Sequence, residues 1–148
     1  MKIEEELDGR FHSEYHKGVI NLIYTANQLN YDFLCFLKKK DLTSQQYNVL
    51  KILRGFGKKP LSIDFIRKRM LDKHSDISRI IENLYKKKLI DRQENEKDRR
   101  QKDITITQQG TNLLKSIDST EHKIGDLLKI LTEEEIIMFN NLLDKIRG

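Results

Sequence analysis

Apolar residues recur through the first quarter of the chain at Phe11, Tyr15, Val19, Leu22, Ala26, Leu29, Phe33 and Phe36. Steps of three and four residues follow the helical repeat, so this spacing predicts one long helix of about seven turns. Ile23, Leu34 and Leu37 add a second row and widen the stripe. A helix this long with so wide a stripe finds too few partners inside one small domain, which predicts burial against another subunit. Lys38-Lys39-Lys40-Asp41 ends the run. Thr43, three residues before Gln46, then forms a capping-box pattern, and the helix it opens turns Tyr47, Leu50 and Leu53 inward. Gly55 and Gly57 stop that helix and Pro60 sets the connection. A short helix from about Ser62 to Met70 buries Ile63 and Ile66. Asp72-Lys73-His74 turns the chain into another helix with Ile77, Ile80, Ile81 and Leu84 on its buried face. The two have the proportions of a helix-turn-helix.

Beyond Lys88 the period changes from helical to alternating. Leu89-Ile90 begins a short strand that ends in Arg92. A charged turn runs from Glu94 to Lys102, and Ile104-Thr105-Ile106-Thr107 forms a second strand before Gly110. A helix followed by a two-stranded ribbon with a basic tip is the layout of a winged helix-turn-helix, whose helix enters a major groove while the ribbon reaches the neighbouring backbone or minor groove. Helical spacing returns at Leu113, Ile117, Ile124, Leu127 or Leu128, and Leu131. A second capping box at Thr132-Glu133-Glu134-Glu135 opens a last helix, with an acidic first turn suited to the helix dipole. That helix is expected to bury Ile136, Phe139, Leu142 or Leu143, and Ile146. The predicted fold is therefore mainly α with a small β-wing. A single domain, residues 1–148, places a winged helix-turn-helix DNA-binding region at 42–110 between dimerisation helices at 1–41 and 111–148. Phe11, Leu142 and Ile146 are the expected dimer contacts.

Composition sharpens this picture. The chain is 37% hydrophobic and 34% charged, so much of it must be solvated helix surface. One Pro and seven Gly argue against an all-β fold. Residues 67–102 carry 13 basic and 7 acidic side chains, a net +6, against +2 for residues 1–66 and −3 for residues 103–148. Positive charge thus concentrates where the helix and ribbon lie, and such a patch attracts polyanions. A solvated lysine-rich face is the competing reading; the helix-and-wing order decides against it. Cys35 is alone, so neither an internal disulfide nor a multi-cysteine metal site is expected. The start has no apolar core of signal-peptide length, and no run approaches the roughly 20 apolar residues that cross a bilayer. The location expected is cytoplasmic, with no membrane partner.

No Gly-rich phosphate loop, zinc-spaced His and Cys, or nucleophile motif is present. No enzyme activity and no cofactor are therefore expected. His12 and His16 share a helix face, but without a third ligand nearby the pairing reads as chance, and no metal is expected.

The order of these elements resembles the MarR family of bacterial transcriptional regulators, and local motifs match it. Leu42-Thr43-xx-Gln46-Tyr47-xx-Leu50 is similar to the opening of the family's second helix. Ile77-Ser78-Arg79-Ile80-Ile81-xx-Leu84 is similar to its recognition helix, and Lys87-Lys88-Leu89-Ile90-x-Arg92 to the step into the wing. Asp98-Arg99-Arg100, followed by Ile104-Thr105-Ile106-Thr107-xx-Gly110, resembles the wing signature and is the most specific of the set. One departure is Lys88, where the family usually has Gly. Lys88 must accept a left-handed C-cap or end the helix differently.

The first-turn side chains of the recognition helix are His74, Ser75, Asp76, Ser78 and Arg79. Arg79 suits a bidentate contact with guanine, against an ion pair with Asp76 or Glu82, three residues away on either side. Ser75 and Ser78 suit a phosphate or a base. Asp76 either accepts from cytosine or sits in the helix N-terminal turn, where a carboxylate is favourable. At the wing, Arg99 and Arg100 suit a narrow minor groove, and Lys97 and Lys102 suit phosphates. The resemblance implies that Asp98 orients a wing arginine through a carboxylate–guanidinium pair. It also implies a double-stranded DNA partner, a homodimer, and a small-molecule effector, for which His12, His16, Tyr15, Tyr31 and Tyr47 are candidate lining residues. Each of those five also reads as an ordinary core or surface residue. The family's peroxide sensors carry their reactive cysteine near the start of the first helix. Cys35 falls near its end between Leu34 and Phe36, and is expected to be a buried, inert thiol. The function implied is an effector-responsive repressor on a pseudo-palindromic operator. The alternative is a winged-helix interaction module that binds an acidic protein.

Overall fold

The computed structural model describes residues 1–148 and orders them as α1 (Ile3–Leu7), α2 (Glu14–Lys39), α3 (Ser44–Gly55), β1 (Leu61–Ser62), α4 (Ile63–Arg69), α5 (Ile77–Lys86), β2 (Ile90–Glu94), β3 (Lys102–Ile106), α6 (Gln108–Asp126), a 3-10 turn (Leu127–Ile130) and α7 (Glu133–Arg147). The helix starts follow local chemistry. Thr43 Oγ1 accepts the Gln46 amide at 3.1 Å and Gln46 Oε1 accepts the Thr43 amide at 3.2 Å. Thr132 and Glu135 repeat the exchange at the head of α7. Ser62 caps α4 through the Phe65 amide. Each cap satisfies a donor that the helix itself leaves unpaired.

The chain forms two compact units, Phe36–His122 and a terminal unit of Met1–Cys35 with Lys123–Gly148. The first is the winged helix-turn-helix, and it reaches beyond 42–110 on both sides. Leu37, near the end of α2, is buried, as are Leu114 and Ile117 of α6, so both flanking helices contribute to its core. α3 lies at the centre of that core. Tyr47, Leu50 and Leu53 are buried as expected, and so is Val49, off the expected stripe. Ile66, Ile77, Ile81 and Leu84 are buried, while Ile63 and Ile80 are half-buried. The Arg54 guanidinium forks onto the Asp118 carboxylate at 2.8 and 2.9 Å, and Lys51 Nζ meets Glu121 at 2.7 Å, joining α3 to α6. The Arg54 hydrogen bond holds the Asp118 carboxyl below the usual carboxylate range. Burial pushes the Tyr47 phenol up, and the neighbouring Glu121 carboxylate adds to the shift.

The sheet has three strands rather than two. β3 lies between β1 and β2, antiparallel to both, with Leu61 opposite Ile104, Arg92 opposite Ile104 and Glu94 opposite Lys102. Two-residue β1 is too short to leave a periodic signal. Gly110 allows the close approach that starts α6. A Cβ there would lie 2.4 Å from the Leu89 carbonyl oxygen and 2.8 Å from Ile106 Cγ1. Gly110→Ala should therefore cost about 1–3 kcal/mol by overpacking. A lower urea midpoint at unchanged slope is the expected readout; an unchanged midpoint would mean that the contact relaxes freely.

In the terminal unit the first helix differs from the expected one. α1 ends at Asp8 in a left-handed conformation (φ 45). α2 starts only at Glu14, where Ser13 Oγ accepts the His16 amide at 3.1 Å. Phe11 therefore lies before the helix, half-buried, with its ring edge toward His16 at 5.9 Å. The expectation of a buried Cys35 is wrong: the thiol is exposed. Burial of Leu37 fixes the phase of α2 at this end. Two residues correspond to about 200° of helix rotation, which turns Cys35 outward. The apolar stripes of α2 and α7 remain largely uncovered. Tyr15, Val19, Leu22, Ile23 and Leu34 are exposed on α2, and Ile137, Met138, Phe139, Leu142 and Ile146 on α7. No helix is long and apolar enough to cross a membrane.

Candidate nucleic-acid interface

The turn that delivers α5 is held by its own carboxylates. Asp72 Oδ1 accepts the His74 amide at 2.9 Å, and that bond leads the interactions that lower the Asp72 pKa. The Asp72 carbonyl takes the Ser75 hydroxyl at 2.9 Å. Asn48 Oδ1 of α3 accepts the Leu71 amide at 2.8 Å and pins the start of the turn. Asp76 is the N-cap of α5, its Oδ1 accepting the Arg79 amide at 3.3 Å. Of the five first-turn candidates, Ser75 and Asp76 are thus already engaged in shaping the turn. Asp76 takes the helix-terminus role through its Oδ1. His74, Ser78 and Arg79 are exposed.

Arg79 forms no ion pair with Asp76 or Glu82. Glu82 instead receives Arg92 of β2 at 2.5 Å, and the Arg92 guanidinium lies over the Tyr85 ring, 4.1 Å from its centroid. That hydrogen bond is the main cause of the lowered Glu82 pKa, so the carboxylate stays charged and neutralises Arg92. The strut ties the recognition helix to the ribbon. It also leaves Arg79 available to an external anion.

The wing tip is a set of side-chain-to-backbone bonds. Asn95 Oδ1 accepts the amides of Lys97 and Asp98 at 2.9 and 3.1 Å, while its Nδ2 reaches the Asp103 carboxylate at 3.2 Å. Asp98 Oδ1 accepts the Arg100 amide at 3.0 Å, and the Asp98 carbonyl accepts the Gln101 amide at 3.0 Å. The expected pairing of Asp98 with a guanidinium is absent. The carboxylate reaches the arginine's backbone instead, because the turn folds the amide of residue 100 back onto it. Lys97, Arg99, Arg100 and Lys102 are exposed and unpaired. Arg67, Ser78, Glu82, Arg92, Arg100 and Lys102 are among the residues lining a cavity of about 470 Å³ between α4, α5 and the wing. Arg67 has Asp64 as partner and Arg92 has Glu82, so Arg100 and Lys102 supply its uncompensated charge. Asn95, Glu82 and Arg92 were not among the sequence candidates. Asn95 three residues before Asp98 is an Asx-turn signal that was readable; the Glu82–Arg92 contact depends on how the ribbon packs.

Residues 40–101 match the MarR family model. Over that stretch the winged helix-turn-helix of this chain is similar to the MarR family. The S. aureus MepR–DNA complex is 26% identical, with 93% of this chain and 97% of that chain covered and a TM-score of 0.75. A MarR-like transcription regulator of Bacillus cereus is 18% identical, covering 90% of this chain and 96% of its own, with a TM-score of 0.76. The PcaV transcriptional regulator of Streptomyces coelicolor, in complex with its natural ligand, is 20% identical, covering 83% and 89%, with a TM-score of 0.68. No curated protein matches the chain. The fold is that of the MarR transcription regulators, and that family is one of regulators rather than enzymes.

The MarR departure at Lys88 resolves in favour of the strained option. Lys88 adopts the left-handed conformation itself, with φ 60. Its carbonyl accepts the Thr107 hydroxyl at 2.8 Å, an added bond that helps offset the backbone cost. The candidate effector-lining residues do not share one environment. Tyr15 and Tyr31 are exposed, His12 and His16 stack at 5.2 Å, and Tyr47 lies in the winged-helix core.

Proposed function

We propose that this chain is a homodimeric transcriptional repressor that occupies a pseudo-palindromic operator and releases it when a small effector changes the spacing of its two winged units. The observation that carries the reading is the set of unpaired cations on the DNA-facing elements: Arg79 on α5, and Lys97, Arg99, Arg100 and Lys102 on the wing, beside a Glu82 already neutralised by Arg92. The likeness to a regulator crystallised on DNA supports the same partner. The likeness in fold to PcaV, crystallised with its natural ligand, supports an effector. The uncovered apolar faces of α2 and α7 support the dimer.

A duplex selected by the chain from a randomised library should be palindromic, with half-site centres about 10 bp apart. Its affinity should fall about 10³-fold between 50 and 200 mM salt, as expected if the two copies neutralise about six phosphates. Equal affinity for every duplex would reject sequence-specific regulation. Capture of acidic polypeptides with no preference for duplex would favour the interaction-module reading.

A further inference from the structure

The C-terminal end of the recognition helix is held from two directions. On one side Lys87 Nζ donates to the Asp41 carbonyl oxygen and to Gln46 Oε1 at 3.2 Å, with the Asp41 carboxylate at 3.3 Å. Asp41 closes the end of α2 in a left-handed conformation, φ 56, and Gln46 is the buried partner in the capping box of α3. One ammonium thus ties the end of α5 to the corner between α2 and α3. On the other side the Thr107 hydroxyl donates to the Lys88 carbonyl, and the Thr107 amide donates to the Leu89 carbonyl at 3.1 Å, at the head of α6. α2 and α6 are the two helices through which the chain passes from the winged unit into the terminal unit. Both connections converge on Lys87-Lys88-Leu89.

We propose that Lys87 is a positioning residue for DNA reading: its bonds to the Asp41 carbonyl and the Gln46 side chain set the attitude of the recognition helix against the α2–α3 corner, so that a displacement of α2 reaches α5 through them. The inference rests on the DNA-binding reading above. An ammonium has three N–H donors, and three oxygens already face this one. The Asp41 carboxylate is exposed and adds little; the carbonyl and the Gln46 amide oxygen carry the tie. Lys87 therefore differs from the wing lysines Lys97 and Lys102, whose ammonium groups make no hydrogen bond or ion pair.

The test compares the wild-type chain with Lys87→Met and Lys87→Arg on two duplexes: the palindrome selected by the wild type, and a random sequence of equal length. Lys87→Met keeps the aliphatic stem and removes the donors. It should bind the palindrome about tenfold more weakly, bind the random duplex unchanged, and keep the slope of affinity against salt. Lys87→Arg, which restores donors, should recover most of the loss. If Lys87→Met does not fold, Lys87→Gln, whose shorter amide falls short of Asp41, is read in its place. Equal loss on both duplexes, with the salt slope falling by about one, would make Lys87 a phosphate contact and overturn the proposal. A lower melting midpoint with an unchanged ratio between the duplexes would make it merely structural, and would also overturn it. Failure of the wild type to prefer any duplex would sink the DNA reading itself; wild-type preference retained by Lys87→Met would sink only the role of Lys87.

Discussion

Replacing Leu142 and Ile146 together by Glu is expected to turn a dimer into a monomer and to lower operator affinity by about 10²-fold or more. The two side chains are 53% and 72% exposed in the single chain, alongside exposed Ile137, Met138 and Phe139 on the same helix. A buried Leu or Ile contributes about 1.5–3 kcal/mol by removal from water. The double substitution would lose that contribution at four positions of the dimer. It would also set four carboxylates into an apolar contact, where an unpaired charge costs several kcal/mol more. DNA binding should fall with association, because linked half-sites gain about 10²–10⁴ in affinity from effective concentration alone. The fold of the single chain should survive, since both positions face solvent there, and the far-ultraviolet circular dichroism should be unchanged. Sedimentation equilibrium should move from twice 17.6 kDa to 17.6 kDa. A variant that keeps the dimer mass would place the interface elsewhere. A monomer that still binds the palindrome at full affinity would remove the dimer from the mechanism.

The fold was legible in the sequence wherever a feature is local. The capping boxes at Thr43 and Thr132 and the stripe Ile77, Ile81, Leu84 are set by residues three or four apart, and the structure places them as the spacing predicts. What spacing does not determine is how one element meets another. The phase of α2 is set at its end by burial of Leu37 in the winged unit, so the exposure of Cys35 was hidden. Val49 is buried because α3 is packed on more than one side, and a single stripe understates such a face. At the wing, the resemblance implies a carboxylate–guanidinium pair for Asp98, and the free chain shows a backbone bond in its place. Asp98 has a structural task, but its partner is the amide of residue 100 rather than a guanidinium. The pairing of Glu82 with Arg92, across the joint between α5 and β2, could not be read from a pattern within either element. With Glu82 engaged by Arg92, Arg79 makes no ion pair with that carboxylate.

The wing bond leads to a substitution series with opposite signs. Arg100→Ala should weaken operator binding by about 1–3 kcal/mol per half-site if the arginine reads a groove, roughly twice that for a dimer, with the melting midpoint nearly unchanged because the side chain is exposed and unpaired. Asp98→Ala should also weaken binding, although it removes a negative charge close to the phosphates. Its carboxylate accepts the Arg100 amide; without that bond the tip samples other turns and must be ordered again on DNA. Asp98→Asn separates the two effects. The amide oxygen can still accept from the Arg100 amide, while the charge that repels phosphate is gone. Binding by Asp98→Asn should equal or exceed that of the wild type, and Asp98→Ala should fall below both. If Asp98→Ala tightens binding, the carboxylate is a solvated charge and the turn bond does not organise the wing. If Asp98→Asn weakens binding as much as Asp98→Ala, the negative charge itself is required. That result would restore a carboxylate–guanidinium pair formed on DNA, in place of the backbone bond that holds the free wing.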